Sequence, residues 1–294
     1  MKILITGASG LVGRALTAHA IAKGDEVAAF DRQSLDITDA HAVNEIIQSA
    51  RPEVVINCAA WTDVDGCESD PEHAARANAL GPELLAKNCR DIHALLITIS
   101  TDFVFDGTNE GFYTQRDQPN PISVYGRSKL EGERRAQAAW ARTMVVRSGY
   151  IFGAAGKNFL STVVERARSG TAIMAIDDMF GTPTYASDLA QRLRQLADVD
   201  LPGTYHVVNA GEGVSFYDFA RAALQISGDD GVEITRVRLA DLNRPAPRPR
   251  KSRLRCLLSP AIGLEPLPDW RDALDRFVSE QIASSQSAAT ANPV

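Results

Sequence analysis

A doubly wound parallel α/β sheet with a smaller carboxy-terminal lobe is the fold class that this 294-residue sequence predicts. Three observations carry it. Short, continuous apolar runs alternate with amphipathic stretches through the first half of the chain, as they do when helices cover both faces of a parallel sheet. A glycine cluster, Gly7 to Gly13, separates the first apolar run from the first amphipathic stretch. Past about Gly149 the alternation loses its regularity, which marks a second, smaller body of sequence.

Taken in order, Lys2–Thr6 is the first strand and Leu11–Ala22 the first helix. Glu26–Phe30, Val54–Asn57, His93–Ser100 and Thr143–Arg147 read as strands two to five. The helix candidates are Ala40–Ser49, Pro71–Arg90, Tyr125–Ala139 and Asn158–Arg168. Later, Ala172–Ile176 and Thr204–Val208 look like strands, while Ser187–Ala197, Ser215–Ile226 and Trp270–Ile282 look helical. Asn243–Arg255, rich in Pro and Arg, is a loop. The small, polar stretch Ser284–Val294 is expected to be a disordered tail.

Composition bounds the function. A 45% hydrophobic and 23% charged chain is ordinary for a soluble globular protein. A net charge of -6 argues against general nucleic-acid binding, which uses a basic face. Cys58, Cys67, Cys89 and Cys256 show neither CxxC pairing nor zinc-ligand spacing, and read as reduced thiols. No run is long enough to span a membrane, and Met1–Ile5 leads straight into Gly7 with no signal-peptide apolar region. A cytoplasmic protein without membrane or nucleic-acid partners is expected.

The cluster Gly7-Ala8-Ser9-Gly10-Leu11-Val12-Gly13 sits where strand turns into helix. There the first glycine permits a tight turn, the second admits a pyrophosphate, and the third allows close helix–strand packing. The helix N-terminus then offers unpaired N–H groups to the phosphates. The spacing is GxxGxxG, and it predicts a Rossmann-type dinucleotide site. Asp31, at the end of the second strand, is placed to hold an adenosine ribose and favours NADH. Arg32 follows and would instead hold a 2′-phosphate, so the choice between NADH and NADPH stays open. In Asp36-Ile37-Thr38-Asp39, Asp36 and Ile37 could meet the adenine edge, or Thr38 or Asp39 could cap a helix. The chain is accordingly divided into residues 1–149 as the dinucleotide-binding domain, 150–283 as a lobe with some elements returning to the main sheet, and the tail.

Tyr125 and Lys129 stand four residues apart on a predicted helix, which puts both side chains on one face. A nearby ammonium favours an ionised phenol, so such a tyrosine can give its proton to a carbonyl as hydride arrives. Thr101 ends the fourth strand at its carboxyl edge, where open α/β sheets place ligands, and its hydroxyl could bond the same carbonyl.

These features, with Asn57–Glu68, Asn78-Ala79-Leu80-Gly81, Ser100–Gly107, Phe180–Thr184 and Arg248–Leu254, resemble the dTDP-4-dehydrorhamnose reductase family of the extended short-chain dehydrogenases. The resemblance runs from Met1 to about Phe277. It implies reduction of the 4-keto group of dTDP-6-deoxy-L-lyxo-4-hexulose to dTDP-L-rhamnose with NADPH or NADH. It assigns Thr101, Tyr125 and Lys129 as catalytic, with Lys129 lowering the phenol pKa and holding the nicotinamide ribose. Gly7, Ser9, Gly10, Leu11, Val12, Gly13, Cys58, Ala59 and Ala60 would line the cofactor. Asp102, Val64, Asp65 and Tyr150 would face the substrate; Tyr150 stands where the family often has tryptophan. Arg248 and Arg253, in a basic run with Arg244, Arg250, Lys251 and Arg255, are expected to meet the diphosphate. Lys251 and Arg255 depart from the family pattern, which touches the identity of the substrate rather than the hydride chemistry.

Phe103 follows Asp102 where related 4,6-dehydratases carry glutamate, so elimination is disfavoured. Near Ala15 no carboxylate matches the magnesium-binding glutamates of some family members, and no metal is expected. A monomer or homodimer fits equally. An epimerase or epimerase–reductase on another nucleoside-diphosphate sugar, or a non-catalytic regulatory subunit of the same architecture, are the competing readings. Retention of Thr101, Tyr125 and Lys129 together favours catalysis.

Overall fold

Successive residues of a strand face opposite sides of a sheet, and β1 (Lys2–Thr6) shows the consequence. Ile3 and Ile5 enter one apolar core with Leu16, Ile56, Ile97 and Val146, while Leu4 enters another with Val43, Ile47 and Leu96. A strand apolar at every position is therefore one that must be covered twice. The computed structural model, which describes residues 1–154 and 158–290, covers it so.

Among the described residues, six parallel strands form the main sheet. Beside β1 lie β2 (Glu26–Phe30) on one side and β3 (Val54–Asn57), β4 (Leu95–Thr101) and β5 (Thr143–Ser148) on the other. A late strand, Gly203–His206, closes the far edge beside β5. Register pairs Ile5 with Ala29 and Ile56, and Ile97 with Met144. Strand order reverses between β1 and β3, the switch point where such sheets open a crevice at their carboxyl ends.

Helix α1 (Leu11–Ala22) and the late helix Ala186–Val199 cover one face through Leu16, Ala20, Leu189 and Leu193. The other face is covered by α2 (Ala40–Ala50), α5 (Gly81–Ile92) and α6 (Val124–Ala139). Between β3 and α5 lie α3 (Val64–Ser69) and α4 (Pro71–Ala75). The late helix and strand thus return to the main sheet. The rest of the carboxy-terminal part gathers around Phe152, Tyr185, Phe219, Trp270 and Phe277, with a parallel pair of strands, Ile173–Ile176 and Ile234–Val237, beside it.

Several expected boundaries move. The helix expected over Pro71–Arg90 is broken by a π-turn, Arg76–Leu80, and continues to Ile92. Pro82 has no N–H to give to the preceding turn, and the widened turn accommodates it. His93 is the left-handed cap of α5 rather than a strand residue, so β4 begins at Leu95 and reaches Thr101. The last helix, Trp270–Thr290, continues through positions expected to be unstructured tail; residues 291–294 lie outside the described residues.

Candidate active site

The turn after β1 is shaped by contacts that leave no room for side chains. Gly7 has φ +66°, and a Cβ there would lie 2.6 Å from the backbone nitrogen of Ala59. A Cβ on Gly13 would lie 2.2 Å from the Gly7 carbonyl oxygen. Helix α1 starts at Leu11 with Gly10 as N-cap and no side chain bonded to its first N–H groups, as an anion site requires. Beside it runs a cleft of about 230 Å³ lined by Gly7, Ser9, Gly10, Arg32, Asp36, Ile37, Cys58, Ala59 and Ala60. The glycine cradle and the open helix end beside this cleft fit the pyrophosphate of a dinucleotide. Val12 packs into the core instead, and Leu11 meets Gly153.

The structure separates the two residues that pull cofactor choice apart. Arg32 lines the cleft; Asp31 lines an adjoining hollow with Ala8, Ser9 and Arg14. One Asp31 oxygen accepts from Gln33 N, Ser34 N and Ser34 Oγ at 2.8–3.0 Å, and these bonds hold its carboxyl below the ordinary value. Asp39 caps α2, leaving Asp36, Ile37 and Thr38 to line the cleft.

At the carboxyl edge of the sheet Thr101, Asp102, Tyr125 and Lys129 are all buried. Ser123 caps α6 through the Gly126 N–H, which aims the first turn of that helix at the end of β4. The Tyr125 phenol contacts the Thr101 side chain. Thr101 Oγ1 donates to Asp102 Oδ1 at 3.0 Å, and Ser252 Oγ donates to Asp102 Oδ2. The four side chains form one polar chain running from the helix to the late basic loop. Burial raises the Asp102 carboxyl to about 6 despite those bonds.

Lys129 differs from expectation. Its Nζ donates to the Ile99 backbone carbonyl at 2.7 Å, and burial lowers its pKa to about 8. The Tyr125 phenol is pushed well above its ordinary value by burial first, with the Thr101 contact opposing and Asp102 and Cys67 adding to the rise. Burial, rather than Lys129, sets the direction of the phenol in this arrangement. The ammonium faces the Ile99 carbonyl, and the Glu133 carboxylate partly opposes the effect of burial on it.

Two asparagines that sequence reasoning passed over lock this geometry. Buried Asn57 accepts from Thr6 Oγ1 at 2.7 Å and from Ala59 N at 3.1 Å, and donates to Thr98 Oγ1 at 3.0 Å. It ties β1, β3 and β4 to the loop bearing Cys58, Ala59 and Ala60. Asn78, in the π-turn, bonds both backbone groups of Trp61 and donates to Ser128 Oγ, which donates to the Tyr125 carbonyl. Both lie in strings that the sequence made conspicuous; only their burial against several elements singles them out.

A second cleft, about 590 Å³, is lined by Phe103, Tyr150, Phe216, Arg244 and Arg248 among others. The Phe103 ring lies 5.7 Å from that of Tyr125, edge to face, and Val64 packs in the same cluster. Tyr150 has φ 44°, stacks on Phe216 at 4.1 Å and donates to the Met179 carbonyl. Asp65 holds Arg248 by two bonds of 2.9 and 2.8 Å and meets Arg244 at 3.4 Å; the Arg248 guanidinium keeps the Asp65 carboxyl down to about 2. Arg250 pairs with Asp178, and Lys251 with Glu110. Arg253 is not brought to the cleft: it donates to the Glu110 carbonyl and lies over Phe112. The basic run is thus largely neutralised by carboxylates from elsewhere in the chain. Only Arg244 and Arg248 of that run reach the cleft wall.

No described helix is long and apolar enough to cross a membrane. The model of the RmlD substrate binding domain family matches residues 1–282. The chain is 41% identical over 287 residues to the dTDP-4-dehydrorhamnose reductase of Mycolicibacterium smegmatis, covering 97% of this chain and 87% of that protein. Its structure is similar to the Bacillus anthracis dTDP-4-dehydrorhamnose reductase in complex with NADP (TM-score 0.92, 32% identity, 95% of this chain and 100% of that one). It is equally similar to a Clostridium acetobutylicum dTDP-4-dehydrorhamnose reductase (TM-score 0.92, 37% identity, 96% and 99% covered).

Proposed function

The chain belongs to the RmlD substrate binding domain family, and from that premise we propose that it is the NAD(P)H-dependent reductase of dTDP-rhamnose biosynthesis. It reduces the 4-keto group of dTDP-6-deoxy-L-lyxo-4-hexulose to the hydroxyl of dTDP-L-rhamnose. The observation that carries this reading is the position of Tyr125, whose phenol meets Thr101 and whose ring packs with Trp61 of the nucleotide cleft and Phe103 of the second cleft. A group so placed touches walls of both.

When bound, the nicotinamide supplies the hydride that goes to the sugar C4. Tyr125 gives its proton to the carbonyl oxygen, so the ketone gains both hydrogens and leaves as an alcohol. A phenol kept protonated by burial suits an acid better than a base. Thr101, whose hydroxyl donates to Asp102 without substrate, turns that proton to the carbonyl oxygen when the sugar is bound. Lys129 holds the nicotinamide ribose and supplies a positive charge at the carboxyl end of β4. Gly7, Gly10 and the start of α1 take the pyrophosphate, and Arg32 favours the 2′-phosphorylated cofactor. Arg248 and Arg244, preset by Asp65, meet the nucleoside diphosphate, and Tyr150 walls the sugar side.

The test is direct. Purified protein is given the dTDP-4-keto sugar, made enzymatically, and loss of reduced-cofactor absorbance is followed with NADPH and with NADH. Oxidation coupled to dTDP-rhamnose formation is expected. No oxidation with either cofactor would refute the assignment.

A further inference from the structure

A third cavity, about 350 Å³, lies at the far edge of the sheet and shares no lining residue with either cleft. It opens between residues 206–212, which continue the edge strand, and the segment 254–267, with Arg192 of the helix Ala186–Val199 in its wall. Most of the surface is apolar, from Val207, Val208, Leu254, Pro260, Leu264 and Leu267.

Of the buried polar side chains in that wall, His206, Arg192, Asn209 and Ser259, the first two lack a full set of partners. His206 is 2% exposed, and its Nδ1 lies 3.1 Å from the carbonyl oxygens of both Tyr113 and Arg255. Carbonyls only accept, so Nδ1 carries the proton. Burial, aided by the charge of Arg147, lowers the ring to about 4 and keeps it neutral near pH 7. Nε2 is then a bare acceptor, buried and without a partner. Arg192 is 5% exposed; it donates to Gln195 Oε1 at 3.0 Å and to the Glu265 carbonyl. Among the described residues no carboxylate lies within salt-bridge distance of it. A guanidinium removed from water without a counter-anion is costly, and so is an orphaned imidazole nitrogen. Both costs fall when a ligand brings an anion and a hydroxyl donor.

We propose that this cavity is a second small-molecule site for a hydroxy-substituted carboxylate with an apolar body. The carboxylate pairs with Arg192, the hydroxyl donates to His206 Nε2, and the body lies on the apolar wall. 4-Hydroxybenzoate has this chemistry and serves as the probe. Calorimetric titration of the full-length protein, with NADPH and dTDP present to occupy both clefts, is expected to show one saturable site. 4-Hydroxybenzamide, which keeps the ring and hydroxyl but lacks the charge, is expected to bind about tenfold more weakly or worse. Arg192→Met lowers the affinity for the acid by a similar factor. Leu264→Trp, which fills the cavity without removing a buried polar group, abolishes binding while the unfolding midpoint stays near that of the parent. No saturable binding, equal binding of acid and amide, displacement by NADPH and dTDP, or unchanged binding in a folded Leu264→Trp variant overturns the proposal.

Discussion

The nucleotide cleft and the second cleft, whose walls include Trp61 and Phe103 of the Tyr125 cluster, are built in opposite ways. The nucleotide side is made mostly of backbone and small residues close together in sequence: the Gly7–Gly13 turn, Asp36–Thr38, and the loop Cys58–Ala60. The second side is bound together by side chains far apart, with Asp65 on Arg248 across 183 positions and Asp102 on Ser252 across 150. One side recognises a ligand part that every dinucleotide shares, and a fixed backbone cradle suffices. On the proposed reading the other selects one sugar nucleotide, with charges preset by partners from a distant segment.

The largest effect should come from the group common to both sides. Tyr125→Phe removes the transferable proton and leaves the ring packing with Trp61 and Phe103. Turnover is expected to fall about 10²–10⁴-fold, with dinucleotide affinity, read by fluorescence titration, nearly unchanged. Unchanged turnover would take Tyr125 out of the chemistry and break the comparison at its centre.

Next in size is the pH dependence that Lys129 imposes on the nucleotide side. Its pKa in the folded protein is lowered to about 8, below the value of an unfolded lysine, because the ammonium is buried. The free enzyme therefore loses this charge as pH rises through about 8, and kcat/KM with NADPH is expected to fall about tenfold per unit beyond it. Lys129→Arg, which stays charged, should remove that limb. The stability sign is opposite: the cost of burying the charge is present below about 8 and is relieved between 8 and the unfolded value, so stability rises with pH in that window. A flat profile from pH 7 to 10 would mean that the charge of Lys129 is not needed.

The same contrast explains what could be read from the sequence. Strands such as Val54–Asn57 and the glycine turn were legible because local pattern alone dictates them: an apolar run buried twice, and glycines where a Cβ would strike backbone. Asn78 was not singled out, since its role depends on a π-turn set by Pro82 four residues later and on contact with α6. The basic run from Arg244 to Arg255 was visible, but its neutralisation by Asp65, Asp178 and Glu110 was not, because pairing over such separations leaves no mark in local composition. The bond from Lys129 to the Ile99 carbonyl was not legible either, for spacing on a helix says nothing about which carbonyl receives the ammonium.

On the second side, Arg248→Ala is expected to raise KM for the dTDP sugar about tenfold while cofactor affinity holds, because both guanidinium bonds to Asp65 and the preset cation are lost together. Asp65 stabilises the fold above the unfolded carboxylate value, and its contribution is lost as pH falls through about 2. Exchanging the charges, Asp65→Arg with Arg248→Asp, should recover stability but not the substrate KM. Recovery of both would make the pair purely structural.

The smallest expected effect decides how far the nucleotide side discriminates at all. Arg32 lines that cleft and, after the Thr38 bonds, adds to the lowering of the Asp36 carboxyl, while one oxygen of Asp31 is taken by the turn at Ser34. The cation, rather than the carboxylate, is thus the group available to sense an adenosine 2′-phosphate. Arg32→Ala should weaken NADPH about threefold to tenfold and leave NADH within about twofold, the size of one partly solvated charge contact. Measuring KM for both cofactors in parent and variant separates the outcomes. An equal loss for both would mean that Arg32 shapes the loop after β2, and that the backbone cradle does not distinguish the two dinucleotides.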